Sequence, residues 1–171
     1  MTLTFVTGGA RSGKSSYAVS LAEAAGTRVA LIATAEARDD EMHERIAAHR
    51  AERPATWRTV EEPIALAAAL RGLAADEFAI VDCLSLWVSN LLEGFAAAEI
   101  ETLAAEAAGL AASHAGGCVA VSNEVGMGIV PANALARAYR DVLGRVNAIW
   151  AEGADDALLA ISGRVLRLER M

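Results

Sequence analysis

The stretch Gly8-Gly9-Ala10-Arg11-Ser12-Gly13-Lys14-Ser15 constrains this chain more than any other. It fits the phosphate-binding loop pattern of glycine, any four residues, glycine, lysine and then serine or threonine. The apolar run Leu3-Thr4-Phe5-Val6-Thr7 before it reads as a buried strand, and Ser16 to Glu23 after it as a helix. Glycines at 8, 9 and 13 let the backbone curl until its N–H groups meet phosphate oxygens. The helix that follows adds the positive end of its dipole. In such a loop Lys14 supplies a mobile charge for the β- and γ-phosphates, and Ser15 a hydroxyl ligand for Mg2+. The whole segment, Gly8, Gly9, Ala10, Arg11, Ser12, Gly13, Lys14 and Ser15, is therefore the expected cradle of a nucleotide.

Composition sharpens this. Of the 15 basic residues 14 are arginine, so Lys14 is the one lysine in the sequence. A compact ammonium on a flexible stem is kept where a phosphate loop needs one. The net charge of −7 argues against nucleic acid as a partner, because backbone phosphates demand a basic face. At 171 residues, 54% hydrophobic but only 5% aromatic, the chain is expected to form one domain, 1–171, with an Ala/Leu/Val/Ile core. Cys83 and Cys118 sit in apolar runs and read as reduced, buried thiols. No apolar run reaches the length of a membrane span, and the expected location is the cytoplasm.

Further along, Gly26 reads as a helix cap and Val29–Ala33 as a second buried strand, which ends at Thr34-Ala35-Glu36. A helix is expected from Asp39-Asp40-Glu41 to about Glu52, ended by Pro54. It holds His43 and His49, roughly 120° apart around the axis and unable to share one task. His49 lies close to Arg50 and Arg53. From composition alone this is a basic helix end complementing the dipole; chemically, an imidazole between two guanidiniums also suits a nucleophile acting on phosphorus.

Trp57 to Glu62 reads as an extended piece, with Pro63 opening an alanine-rich helix to about Leu73. Phe78–Asp82 is a strand ending in an acid, the form of the second nucleotide motif, whose carboxylate holds Mg2+. Leu84 to Leu92 continues as a buried helix with Trp87 as packing, and Ala96 to His114 as an amphipathic one. Cys118–Ser122 is the next strand. It leads into Asn123 to Pro131, a shaped loop at a strand end where binding residues concentrate. Ala132 to Trp150 forms the last helix, whose Arg137, Arg140 and Arg145 read as solvated or subunit-facing, with Asp141 and Arg145 on one face. Ala157–Ile161 and Val165–Leu168 close the fold around Ser162-Gly163-Arg164. The alternation predicts a three-layer α/β domain of the phosphate-loop NTPase type with a mainly parallel sheet.

Together these segments resemble the bifunctional adenosylcobinamide kinase and adenosylcobinamide-phosphate guanylyltransferase family. The resemblance runs from Thr7–Ser15 through Ile32–Ala35, Asp39–Met42, His49-Arg50, Arg53-Pro54, Trp57–Thr59, Asp82–Leu84 and Asn90–Leu92. It continues through Asn123–Pro131, the most specific stretch, to Gly144–Asn147. It implies two reactions in cobalamin biosynthesis. ATP or GTP phosphorylates adenosylcobinamide, and GTP then guanylylates a histidine that passes GMP to adenosylcobinamide phosphate. The family's histidine falls on His49, which reverses the compositional reading. Guanine and ribose contacts fall on Thr34, Ala35, Glu36, Arg50, Ala51, Glu52, Arg53, Glu61 and Asp82, and the metal on Ser15 and Asp82. The resemblance also implies a homotrimer and a corrinoid substrate. Two other readings compete: a single-activity phosphate-loop kinase in which His49 is a bystander, and a nucleotide-binding regulatory module.

Overall fold

In the computed structural model, residues 2–37, 40, 44, 46–47, 50 and 54–170 are described. Seven strands form one sheet in the order β3-β2-β4-β5-β1-β6-β7. They are β1 (Leu3–Gly8), β2 (Arg28–Ala33), β3 (Arg58–Glu61), β4 (Glu77–Asp82), β5 (Cys118–Val121), β6 (Asp156–Ile161) and β7 (Arg164–Arg167). All pair in parallel except β7, which runs antiparallel to β6. The helices with described bounds are α1 (Lys14–Ala25), α2 (Leu66–Arg71), α3 (Leu84–Leu91), α4 (Ala97–Ser113) and α5 (Ala134–Gly153). The expected three-layer α/β architecture is what forms.

Parallel strands need crossovers, and the helices supply them while covering both faces. Alternate strand residues therefore enter two cores. Val6, Val29, Leu31, Ile80, Val119 and Val121 meet Ala18 and Ala22 of α1. Leu3, Phe5, Ile32, Ala79, Val81 and Ala120 meet α2, α3, α4 and α5 on the other face. Small residues Ala104, Ala107, Ala108 and Ala111 of α4 are buried there beside Val142, Leu143, Val146 and Trp150 of α5. Each fully buried Val, Leu, Ile or Phe of this set contributes roughly 1.5–3 kcal/mol of transfer free energy. Trp87 is packing, as expected, and its indole N–H donates to the Ile64 carbonyl at 2.8 Å.

Three local expectations need correction. Pro63 does not open α2, which begins at Leu66, because the Glu62 carboxylate first accepts the amides of Ile64 and Ala65 and makes a separate turn. Arg137 is not simply solvated: its guanidinium donates to the carbonyls of Pro131 and Ala132 at 2.9 and 2.6 Å and pins the preceding loop. Arg145, expected to be solvated or subunit-facing, pairs with Glu101 of α4, while Asp141 pairs with Arg140. The expected helix over 39–52 is described only at Asp40, Glu44, Ile46, Ala47 and Arg50, all helical. Among the described residues no helix is long and apolar enough to cross a membrane.

Candidate active site

The loop between β1 and α1 takes the conformation its glycines predict. Gly8 and Gly13 have φ of 150° and 98°, and Arg11 between them is left-handed at 54°. A Cβ on Gly8 would lie 2.2 Å from the Ala160 carbonyl oxygen, so the loop is seated directly on the end of β6. Gly13 caps α1, and Ser15 stands in its first turn, partly exposed. The Lys14 side chain bends back over the loop. Its Nζ donates to the Gly9 carbonyl at 2.6 Å and to Ser12 Oγ at 3.3 Å. Burial lowers the pKa of this ammonium, opposed by the neighbouring Cys83 and Asp82 side chains. Lys14 and the acid at the end of β4 therefore share one electrostatic environment, although β5 separates their strands.

Thr34, at the end of β2, is the hinge of the neighbouring wall. Its amide donates to the Asp82 carbonyl at 3.1 Å and its hydroxyl to the Cys83 carbonyl at 2.7 Å, while that hydroxyl accepts the Cys83 amide at 2.9 Å. The Asn90 amide of α3 donates to the Thr34 carbonyl at 2.8 Å and to Pro63 at 3.2 Å. Thr34 is fully buried, so its side chain orders this wall, whereas Ala35 and Glu36 after it are half-buried. Glu61, at the end of β3, is exposed and ion-paired with Arg50. The strand ends thus bring together the phosphate loop, Thr34, Ala35, Glu36, Glu61 and Asp82, with Arg50 beside them. His49, Ala51, Glu52 and Arg53 lie outside the described residues.

A further network was not among the expected site residues. The buried Ser122 hydroxyl donates to Asn147 Oδ1 at 2.6 Å, and Asn147 Nδ2 donates to the Asn123 carbonyl at 3.0 Å. Asn123 Nδ2 reaches Ser85 Oγ at 3.1 Å, which lies 2.9 Å from the Cys83 thiol. Tyr139 donates to the Ser85 carbonyl at 3.2 Å. The next residue, Glu124, donates its amide to the Gly8 carbonyl at 3.0 Å. The Asn123–Pro131 loop is therefore tied at its root to the phosphate loop and to α5. Burial raises the Cys83 thiol pKa, with the Asp82 charge adding to it, and pushes the Tyr139 hydroxyl up to about 12. The signal for Asn147 was in the sequence: it is an amide on the same helix face as Val142, Leu143, Val146 and Trp150.

Chemically, this is a glycine-rich loop with a buried ammonium, a carboxylate within its field and a rigid polar wall. Among the described residues no group of three or more His, Cys, Asp or Glu side chains is placed to hold a metal ion by itself. Ser15 and Asp82 offer hard oxygen donors suited to a cation that also binds phosphate.

Residues 4–168 match the family described as cobinamide kinase / cobinamide phosphate guanyltransferase. The chain is 44% identical to the bifunctional adenosylcobalamin biosynthesis protein CobP of Pseudomonas aeruginosa, over 96% of this chain and 95% of that protein. It is 41% identical to the bifunctional adenosylcobalamin biosynthesis protein CobU of Salmonella typhimurium, over 94% of this chain and 96% of that one. Against the CobU protein of Escherichia coli the identity is 38%, again over 94% and 96%.

Proposed function

From the premise that this chain belongs to the cobinamide kinase / cobinamide phosphate guanyltransferase family, we propose how its own residues carry the two reactions. In the first, the γ-phosphoryl group of ATP or GTP passes to the hydroxyl of adenosylcobinamide. In the second, a neutral imidazole of His49 attacks the α-phosphorus of GTP, pyrophosphate leaves, and the phosphoramidate passes GMP to adenosylcobinamide phosphate. Adenosylcobinamide-GDP is the product, and one domain over 1–171 serves both steps.

The observation that best supports this reading is the position of Lys14, buried across the loop and within the field of Asp82. A cation there neutralises charge on the β- and γ-phosphates in either reaction. Mg2+ would be held by Ser15 and Asp82 together with phosphate oxygens and would supply further charge neutralisation. Ala35 and Glu36 offer the guanosine of GTP the end of β2, which the buried Thr34 holds in place from behind. Glu61 and Arg50 complete that wall, and Ala51, Glu52 and Arg53, outside the described residues, are assigned to the same nucleotide. Arg50 and Arg53 also offset the charge that develops as pyrophosphate departs.

The protein acts in the cytoplasm as a homotrimer. Two apolar patches support that assembly, one of Met127, Ile129, Val130 and Leu135, the other of Ile161, Leu166 and Leu168. A three-membered ring joins one surface of each subunit to a different surface of the next, and two separate patches suit such a contact.

The test is an intact-mass measurement of the protein incubated with Mg2+ and GTP, without corrinoid, beside a His49→Ala variant. An acid-labile gain of one GMP in the parent alone is the expected result. A folded, GTP-binding protein that gains nothing would refute the histidine route and leave a plain kinase.

A further inference from the structure

The two reactions ask for opposite orientations of one triphosphate. In guanylyl transfer the reacting atom is the α-phosphorus, so the nucleoside side of the nucleotide must face the nucleophile. In phosphoryl transfer it is the γ-phosphorus, so the nucleoside must trail away from the acceptor. A single phosphate loop serving both therefore needs a nucleoside pocket on each side.

One side is the wall already described. Thr34, Glu61 and Asp82 end β2, β3 and β4, all on the β5 side of β1. The other neighbour of β1 is β6, and there the structure has a cleft. It measures about 390 Å3 and is lined by Ser12, Gly13, Tyr17, Ala160, Arg164 and Val165, with Gly163 between the last three. This volume is within the range of small-molecule sites, roughly 300–1,000 Å3. The cleft is built against the phosphate loop. The Gly163 amide donates to the Ser12 carbonyl at 2.9 Å, and a Cβ on Gly13 would lie 3.3 Å from Gly163 Cα. Ser162 and Gly163 have φ of 51° and 75°, two consecutive left-handed residues that turn β6 tightly into β7. The hairpin tip is thereby held beside the residues that would grip phosphate. Its lining joins an aromatic side chain, Tyr17, to a guanidinium, Arg164, and the apolar Val165, a combination that suits the flat face of a base.

We propose that this cleft takes the purine nucleoside of the triphosphate used in phosphoryl transfer, while the nucleoside of GTP in guanylyl transfer lies on the β2–β3 side. The inference rests on the two-reaction reading above, and adds Tyr17, Gly163, Arg164 and Val165 to the nucleotide site.

Photolabelling the full chain with 8-azido-ATP and Mg2+, followed by peptide mapping, tests it without any turnover. The expected labels fall on the peptides carrying Tyr17 or Val165. Labels confined to residues 34–61 would overturn the proposal. Val165 is exposed on an edge strand, so Val165→Trp fills the cleft with little risk to folding. It is expected to raise the KM for ATP in cobinamide phosphorylation by about tenfold or more with kcat little changed. In the same variant the rate of self-guanylylation at saturating GTP is expected to move less than about twofold, since equal contacts in both orientations would move both. Parallel losses in both reactions, or no change in the KM for ATP, would also overturn it. Failure of the two-reaction reading shows separately, as an absent GMP adduct in the parent protein.

Discussion

Replacing Asn147 with leucine tests whether the polar network behind the site holds it together. Leucine is close to asparagine in size, so the change removes hydrogen bonds without opening a large cavity. It strands the Ser122 hydroxyl, which is fully buried and donates to Asn147 at 2.6 Å, and the Asn123 carbonyl, which accepts from it at 3.0 Å. Two lost bonds at about 1 kcal/mol each, plus the desolvation of a hydroxyl left unpaired, give a loss of about 2–4 kcal/mol. For a domain of this size that corresponds to a fall in Tm of roughly 4–16 °C, at about 2–4 °C per kcal/mol. Ser122→Ala removes the same donor from the other side. The double variant is therefore expected to lose less than the sum of the two single changes, by about 1–2 kcal/mol, because no hydroxyl remains to be stranded. Urea titrations of the four proteins close this cycle. Because Glu124 next to the network donates to Gly8 of the phosphate loop, the single leucine variant should also lose roughly tenfold or more in kcat/KM for phosphorylation. A leucine variant within 0.5 kcal/mol of the parent, about the spread of ordinary surface changes, or strictly additive losses, would refute the reasoning.

Two further outcomes follow from the buried ionisable groups. Lys14→Met is expected to cut both activities by about a hundredfold or more, the scale of losing one preorganised charge-stabilising donor. Burial lowers the Lys14 pKa, so the unfolded chain binds its proton more tightly than the native one, and the parent should gain stability as pH rises through the window up to the ordinary 10.5. The methionine variant should lack that gain in urea titrations over the same range, and an unchanged slope would sink the assignment. Burial pushes the Cys118 thiol up to about 12, so peptide-mapped alkylation at pH 8 should leave it unmodified in the native protein and label it in urea.

What the sequence revealed and what it hid divide along the distance over which each feature is specified. The phosphate loop is local: two of its glycines, one lysine and the flanking periodicities fix its conformation within a few residues, and the positive φ values at Gly8 and Gly13 are what those glycines are for. Strand positions were legible for the same reason, since each buried run carries its own pattern. The seating of β6 beside β1, with β5 inserted between β1 and β4, depends on crossovers that no single segment specifies. The late start of α2 was hidden because a carboxylate at Glu62 outcompeted the helix for two amides. Arg137 looked like one more surface cation, and only the fold shows that two loop carbonyls face it. Asn147 is the intermediate case. Its helical face marked it as buried, but its partners come from β5 and the loop beyond, distant in sequence and adjacent only after packing.

The antiparallel return of β7 has a practical consequence at the other pole of the molecule. Thr4 near the start of β1 pairs with Asp156 at the start of β6, and Arg167 at the end of β7 pairs with Leu158. Leu3 accepts the Asp155 amide, and the Leu168 amide donates to Ala157. The described backbone therefore enters and leaves at one end of the sheet, while the proposed nucleotide face occupies the opposite end. Tethered to a bead, a sensor surface or a fused domain through either of these points, the enzyme would stand with its mouth outward.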